Sequence, residues 1–274
     1  MQTEITRRRM LRISGSVVGG TILCSVNSFS RAEVPKSTAW TWKPIKPESI
    51  RERAYQSAWA KIGCMYGVVE SVLGTLADRY GAPYNTFPIA ATVYGSGGVG
   101  GIGSLCGTVN AGGMLFGIFV DKQPDLFALC NELSLWYEKT AMPVYRPVKP
   151  LQDIPVITTV SGSNLCHISC TKWSKASGYK LMTMQHFERC NRIVADVAMK
   201  IVTMLNQYAG RELVYNEKLN TFSKGCMSCH GPAKERGDVS ANMSCDTCHD
   251  NPHLSDGVNP GQEKAVGGNT MERN

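Results

Sequence analysis

Apolar positions recur at helical spacing in two long stretches of the chain. Between Glu48 and Tyr80, Ala60, Cys64, Val68, Val72 and Leu76 fall four apart on one stripe, which is the spacing of a single buried helix face. From Thr183 to Ala209 the stripe is denser, with Cys190, Ile193, Val194, Val197, Ala198, Ile201, Val202 and Leu205, and Gly210 closes it. Shorter helical signals lie at Asp125 to Glu138, ended near Pro143, and at Asn164 to Ala176. The stretch from Ala90 to Val120 is crowded with glycine and apolar residues. Tyr145 to Ser163 has several prolines and a β-branched run, so it reads as loop with one short strand. The pattern predicts a mostly α protein with a helical domain over 47–220.

Both ends depart from that pattern. Residues 33–46 are rich in Pro, Lys and Trp without periodicity and read as an extended arm. Beyond Asn220 the apolar content collapses, and 221–255 is Gly-, Ser-, Asp- and Asn-rich. Such a segment cannot bury enough apolar surface to offset its ordering entropy, so its fold should depend on something bound to it. Residues 256–274 read as a flexible tail.

The amino terminus, Thr6-Arg7-Arg8-Arg9-Met10-Leu11-Arg12 followed by the uncharged run Ile13 to Phe29 and then Ser30-Arg31-Ala32, reads as a twin-arginine export signal over 1–32. The rival, a membrane anchor, is disfavoured. The run is shorter than the roughly 20 apolar residues of a spanning helix, and Ser14, Ser16, Gly19 and Gly20 interrupt it. The expectation is cleavage after Ala32 and a periplasmic product with no membrane anchor. Because this route carries folded proteins, it also hints at a cofactor acquired before export. The leader holds five basic residues and one acid, so its removal takes the formal net charge from +7 to +3. A balance so close to neutral gives no support to nucleic acid as a partner.

The chemistry is concentrated in the polar segment. Cys226-Met227-Ser228-Cys229-His230 is followed by Cys245-Asp246-Thr247-Cys248-His249, two copies of the Cys-x-x-Cys-His spacing that attaches haem c. Two thiols three positions apart can add across the two vinyl groups of one porphyrin, and the adjoining histidine becomes an axial iron ligand. Paired Cys-x-x-Cys also fits a zinc ribbon. A ribbon, however, has no use for a histidine after both pairs, and histidine fills only five of the 274 positions. The reading is two covalent haems per chain, on Cys226, Cys229, Cys245 and Cys248, with His230 and His249 as proximal ligands.

Six further cysteines follow the leader: Cys64, Cys106, Cys130, Cys166, Cys170 and Cys190. Three readings fit them: an iron-sulfur cluster, disulfides, or inert buried thiols. Cys166 and Cys170 lie one helical turn apart with Trp173, a spacing that converges on a third object more readily than it forms a bridge. Cys64 and Cys190 lie on helix stripes, and Cys106 follows a glycine-rich turn. Thiolates from four elements gathered in a dry pocket are what a cluster requires. Gly98-Val99-Gly100-Gly101-Ile102-Gly103 matches the dinucleotide fingerprint G-x-G-x-x-G, yet no parallel strand precedes it and no alternation of strands and helices surrounds it. Close helix packing and a turn presenting Cys106 is the plainer account.

These residues carry a resemblance. Cys64, then Gly98 to Gly107 with Cys106, then cysteines near 170 and at 190 resemble the redox-active family named for its C-GCAxxG-C-C pattern. With the two haem motifs appended, the chain from about 45 to 250 is similar to the dihaem members of that family, the split-Soret cytochromes c. The resemblance implies a mostly helical homodimer with its haems near the interface, two bis-histidine haems per chain, and an iron-sulfur cluster held by Cys64, Cys106 and Cys190 with one or both of Cys166 and Cys170. The chain departs from the pattern at Ser174, where a cysteine after Trp173 is expected. Cys130 remains ordinary core.

For the distal iron positions the remaining histidines rank His186, His253, His167. With both irons six-coordinate, the haems are left to carry electrons. The rival is a small haem reductase for nitrite, peroxide or a metal ion with one open position, for which no acid-base constellation beside a haem is visible.

Overall fold

A computed structural model describes residues 39–249; the expected export leader over 1–32, the expected tail over 256–274 and His253 lie outside the described residues. The architecture is helical. Helices α1 (Ile50–Lys61), α2 (Cys64–Val69), α3 (Thr75–Tyr80), α4 (Gly107–Phe119), α5 (Gln123–Lys139), α6 (Cys166–Ser177), α7 (Met184–Gly210) and α8 (Thr221–His230) are accompanied by a two-residue antiparallel ribbon, β1 (Ala141–Met142) against β2 (Thr159–Val160).

α7 is the central element because its sequence leaves it no solvent face over most of its length. Val194, Val197, Ala198, Ile201, Val202 and Leu205 are fully buried against α1, α2 and α4, in line with the predicted stripe. Three of its charged residues, Glu188, Arg192 and Asp196, are buried in ion pairs and hydrogen bonds. Glu188 receives Tyr55 Oη at 2.8 Å and Arg192 Nε at 2.7 Å. Asp196 receives the Val144 amide at 2.7 Å and pairs with Arg51. Leaving one partner of such a pair alone in the interior costs about 3–5 kcal/mol, so these contacts pin the 144–154 loop to the core.

The single helix expected from Glu48 to Tyr80 is broken. Ile62 takes the left-handed conformation (φ 47°, ψ 49°) and its amide bonds back to the α1 carbonyls of Ala58 and Trp59, which closes α1. Cys64 therefore opens a new helix. A π-helical turn over Glu70–Gly74 joins α2 to α3; such turns interrupt helices frequently at functional sites. Residues 39–46 of the predicted arm run without regular structure but are anchored: the Trp40 amide bonds Ile118 O at 2.8 Å, Trp42 Nε1 bonds Asn206 Oδ1 at 3.0 Å, and Ile45 is buried.

The polar segment contains a helix that its composition does not announce. α8 carries the first Cys-x-x-Cys-His motif and is capped by Asn220 Oδ1, which accepts the Ser223 amide at 2.8 Å. Among the described residues of 221–249, only Ser223, Gly231 and Ser244 are buried. The segment is held by polar contacts: Glu138 accepts the Ser244 amide and Oγ (3.2 and 2.7 Å), Thr247 Oγ1 donates to Gly162 O (2.5 Å), and Ser223 Oγ accepts the Cys245 amide (2.8 Å).

Candidate metal and haem sites

Five thiols from four elements line one cavity of about 460 Å³. Cys64 opens α2, Cys106 caps α4, Cys166 opens α6 with Cys170 one turn on, and Cys190 lies in the second turn of α7. The glycine-rich loop makes this convergence geometric. The amides of Cys166 and His167 bond Ser104 O and Gly103 O (2.7 and 3.1 Å), and the Cys106 amide bonds Asn164 O (2.8 Å). A Cβ on Gly107 would lie 2.6 Å from Cys64 Sγ and 2.4 Å from Gly95 O, so only glycine lets α4 approach α2 this closely. Gly98, at φ +69°, would likewise meet Cys166 Cβ at 2.8 Å.

The pocket is electrically two-sided. On the α6–α7 side, Cys166 Sγ lies 3.9 Å from Cys170 Sγ, and His186 Nε2 lies 3.2 Å from Cys170 Sγ and 3.5 Å from Cys190 Sγ. Arg189, buried on α7, directs Nη1 to both of these sulfurs at 3.8 Å and Nη2 to Ser169 O and Oγ at 3.2 and 2.7 Å. A hydrogen bond from Cys170, reinforced by His186 and Arg189, holds the Cys190 thiol well below its ordinary pKa, and Cys166 is lowered by the same neighbour. Cys170 is raised in exchange, as the thiol that donates. On the α2–α4 side, burial, reinforced by the neighbouring thiols, pushes Cys64 and Cys106 upward. The thiolate is the metal-binding form, so the α6–α7 side is the half prepared for a cation. The ligand atoms of Cys170, His186 and Cys190 all lie within 4.8 Å of one another.

No carboxylate among the described residues pairs with Arg189; its neighbours are the two sulfurs, Ser169, Tyr137 and the Trp173 ring at 6.0 Å. An uncompensated buried cation is strongly destabilising, so the cavity is built to hold negative charge. Thiolate-ligated iron meets that demand, and none of the ten cysteines among the described residues is bridged. Tyr137 extends the polar floor, its hydroxyl 3.0 Å from Ser169 Oγ.

The two haem motifs lie beside each other. Cys226 and Cys229 fall on one face of α8, burial and the nearby Cys245 of the second motif push the Cys226 thiol up, and Cys229, Cys248 and His249 are exposed. His230 Nδ1 is 2.8 Å from Asp238 Oδ1, a contact that orients the ring as carboxylates do for metal-bound histidines. In the second motif the amides of Cys248 and His249 turn back to Cys245 O (3.1 and 3.0 Å).

The structure thus brings together Cys64, Cys106, Cys166, Cys170 and Cys190 and leaves Cys130 apart, packed at the edge of the core. His186 needs a correction. Ranked first as a distal haem ligand, it lies buried between Cys170 and Cys190, with Nδ1 accepting the Met182 amide at 3.3 Å. Both ring nitrogens are engaged at the thiol pocket, because the first turn of α7 faces that cavity. His167 is exposed, its Nδ1 3.1 Å from Gly103 O. Arg189, Tyr137 and Asp238 escaped the sequence reading. Only Arg189 left a signal, a charge directly before a candidate ligand in the longest helix.

Fold and sites together define a class: a helical redox protein whose thiol pocket is followed by paired haem c attachment motifs. The family model described as "Putative redox-active protein (C_GCAxxG_C_C)" matches residues 66–204. The split-Soret cytochrome c of Desulfovibrio desulfuricans is 32% identical over 267 residues, covering 90% of this chain and 95% of that protein. The solved structure of the Desulfovibrio desulfuricans split-Soret cytochrome c, described as having a novel iron centre, matches with a TM-score of 0.73 and 29% identity over 80% of this chain and 93% of that one. The chain belongs to the split-Soret cytochrome c family.

Proposed function

We propose that the chain is a periplasmic electron carrier that holds two c-type haems and an iron-sulfur centre, and that it works as a homodimer with the haems near the interface. Cys226, Cys229, Cys245 and Cys248 attach the haems and His230 and His249 ligate them. Cys64, Cys106, Cys190 and one or both of Cys166 and Cys170 hold the centre. The observation that carries this reading is the pairing of two adjacent Cys-x-x-Cys-His motifs with a separate cavity into which five unbridged thiols converge. Family membership and the iron centre of the Desulfovibrio relative support it.

Once bound, these groups supply one-electron chemistry at potentials set by ligand type, burial and nearby charge. The chain contributes the rest. Asp238 orients the His230 ring, Glu138 and Gly162 moor the second motif to the helical core, and Arg189 compensates negative charge in the pocket. With His186 committed to the pocket, His167 and His253, from this chain or its partner, are the histidines left for the distal positions. The twin-arginine leader fits a centre loaded before export.

Metal analysis of the pure exported protein combined with electron paramagnetic resonance tests the reading. Two haem irons per chain, additional non-haem iron and labile sulfide are expected; two irons and no sulfide would remove the centre. A low-spin spectrum in both redox states that carbon monoxide leaves unchanged is expected of a carrier and would exclude the reductase reading.

A further inference from the structure

Two donor groups of the pocket make four contacts with the same two sulfurs. Arg189 Nη1 reaches Cys170 Sγ and Cys190 Sγ at 3.8 Å each, and His186 Nε2 reaches them at 3.2 and 3.5 Å. The His186 tautomer follows from its other nitrogen: Nδ1 accepts the Met182 amide at 3.3 Å, so the proton resides on Nε2 and points at the sulfurs. The guanidinium is fixed as firmly, with Nη2 on Ser169 O and Oγ and Ser169 in turn joined to Tyr137. On the opposite side the partners are uncharged: Cys64 Sγ lies 3.8 Å from Gly95 O, and Cys106 Sγ lies 3.3 Å from the Thr108 hydroxyl.

We propose that Arg189 and His186 are positioning residues that set the potential of the metal centre, by directing a permanent charge and an N–H donor at the sulfurs of Cys170 and Cys190 and so stabilising the reduced state. The inference rests on the proposed iron-sulfur reading. Adding an electron to a thiolate-bound centre adds negative charge in a cavity of low dielectric. Potentials of such centres follow net charge and hydrogen bonds to sulfur, and both groups act in the same direction. The centre is therefore a better electron acceptor than one with the same ligands and no cradle.

Spectroelectrochemical titration of the full-length holoprotein and its variants, with non-haem iron counted in each, tests this. In Arg189→Met the reduction equilibrium of the centre falls about tenfold or more, a downward shift of about 59 mV for one electron, while the haem potentials stay in place. Arg189→Lys, which keeps a cation but not the planar fork, recovers most of the shift. His186→Phe lowers the equilibrium by roughly threefold, the scale of one hydrogen bond, and removes a weak nitrogen coupling from the pulsed resonance spectrum of the reduced centre. Unchanged potentials in loaded Arg189→Met overturn the proposal and leave the iron-sulfur reading intact; absence of non-haem iron from the unsubstituted protein overturns both. Where Arg189→Met does not load, His186→Phe decides alone, and a wild-type potential there overturns the proposal. A strong directly bonded nitrogen coupling lost in His186→Phe does so as well, because it makes the imidazole a ligand.

Discussion

The thiol pocket and the haem-motif segment are built on opposite principles. The pocket is assembled by the helical core: its cysteines sit in the first two turns of helices or at their caps, a glycine-lined turn sets their approach, and Arg189 and Ser169 lie beside them, buried. The segment over 221–249 has one helix, three buried residues and a handful of polar moorings. One site is preorganised by the fold, and on the proposed reading the other is completed by its cofactor. Attachment chemistry explains the contrast. A thioether-bound porphyrin brings its own apolar surface and cannot dissociate, whereas a thiolate-held metal must find its ligands already converged.

Removing the haem gives the largest test of that contrast. In protein made without haem attachment, limited proteolysis is expected to cut freely within 221–249 while the helices from Ile50 to Gly210 keep their far-ultraviolet dichroism and resist cleavage. Cys229→Ala, which loses one thioether, should loosen the same segment to a lesser degree. A haem-free segment as protected as α7 would erase the distinction.

The converse substitution attacks the pocket alone. Gly107→Val places side-chain atoms on Cys64 Sγ and Gly95 O, and overpacking of this kind costs about 1–3 kcal/mol. Non-haem iron should fall to a small fraction of its normal content with both haems retained. Cys130→Ala on α5 serves as the contrast, with iron and haem unchanged and a loss of ~1 kcal/mol in chemical denaturation. Equal loss of iron from both would mean that Cys130 belongs to the site.

The two regions meet at the end of α5, where Tyr137 faces the pocket and Glu138 holds Ser244. Glu138→Ala strands the buried Ser244 amide and hydroxyl, at about 1–3 kcal/mol. Faster proteolysis around Cys245 is expected, with the pocket iron in place. If the iron is lost instead, the mooring and the pocket are a single unit.

How far the sequence could be read follows the same division. The α7 stripe, the isolation of Cys130 and the gathering of thiols around the glycine-rich turn were legible because periodicity and backbone freedom are local properties. The break at Ile62 was not, since a left-handed β-branched residue has no local motive; the tertiary approach of Cys64 to Gly107 imposes it. α8 was hidden by its polar composition and shows only in the Asn220 cap. His186 misled because position on a helix gives no direction: its facing is decided by the packing of α6 across the first turn of α7.

The smallest effect concerns an asymmetry within the segment itself. His230 Nδ1 lies 2.8 Å from Asp238 Oδ1, while no carboxylate among the described residues is hydrogen-bonded to the His249 ring. A carboxylate partner raises the basicity of a metal-bound imidazole and favours ferric iron, so the haem on Cys226 and Cys229 should be the lower-potential of the two. Asp238→Asn keeps an acceptor but removes the charge. Because the pair is largely exposed and screened by water, the expected upward shift is modest, less than the ~59 mV of a tenfold change, and confined to one of the two haem waves. Equal shifts in both waves would instead mean that Asp238 acts as a charge shared by two adjacent porphyrins, which the contact between Cys226 and Cys245 makes the natural competing outcome, and a redox titration resolved by haem separates the two.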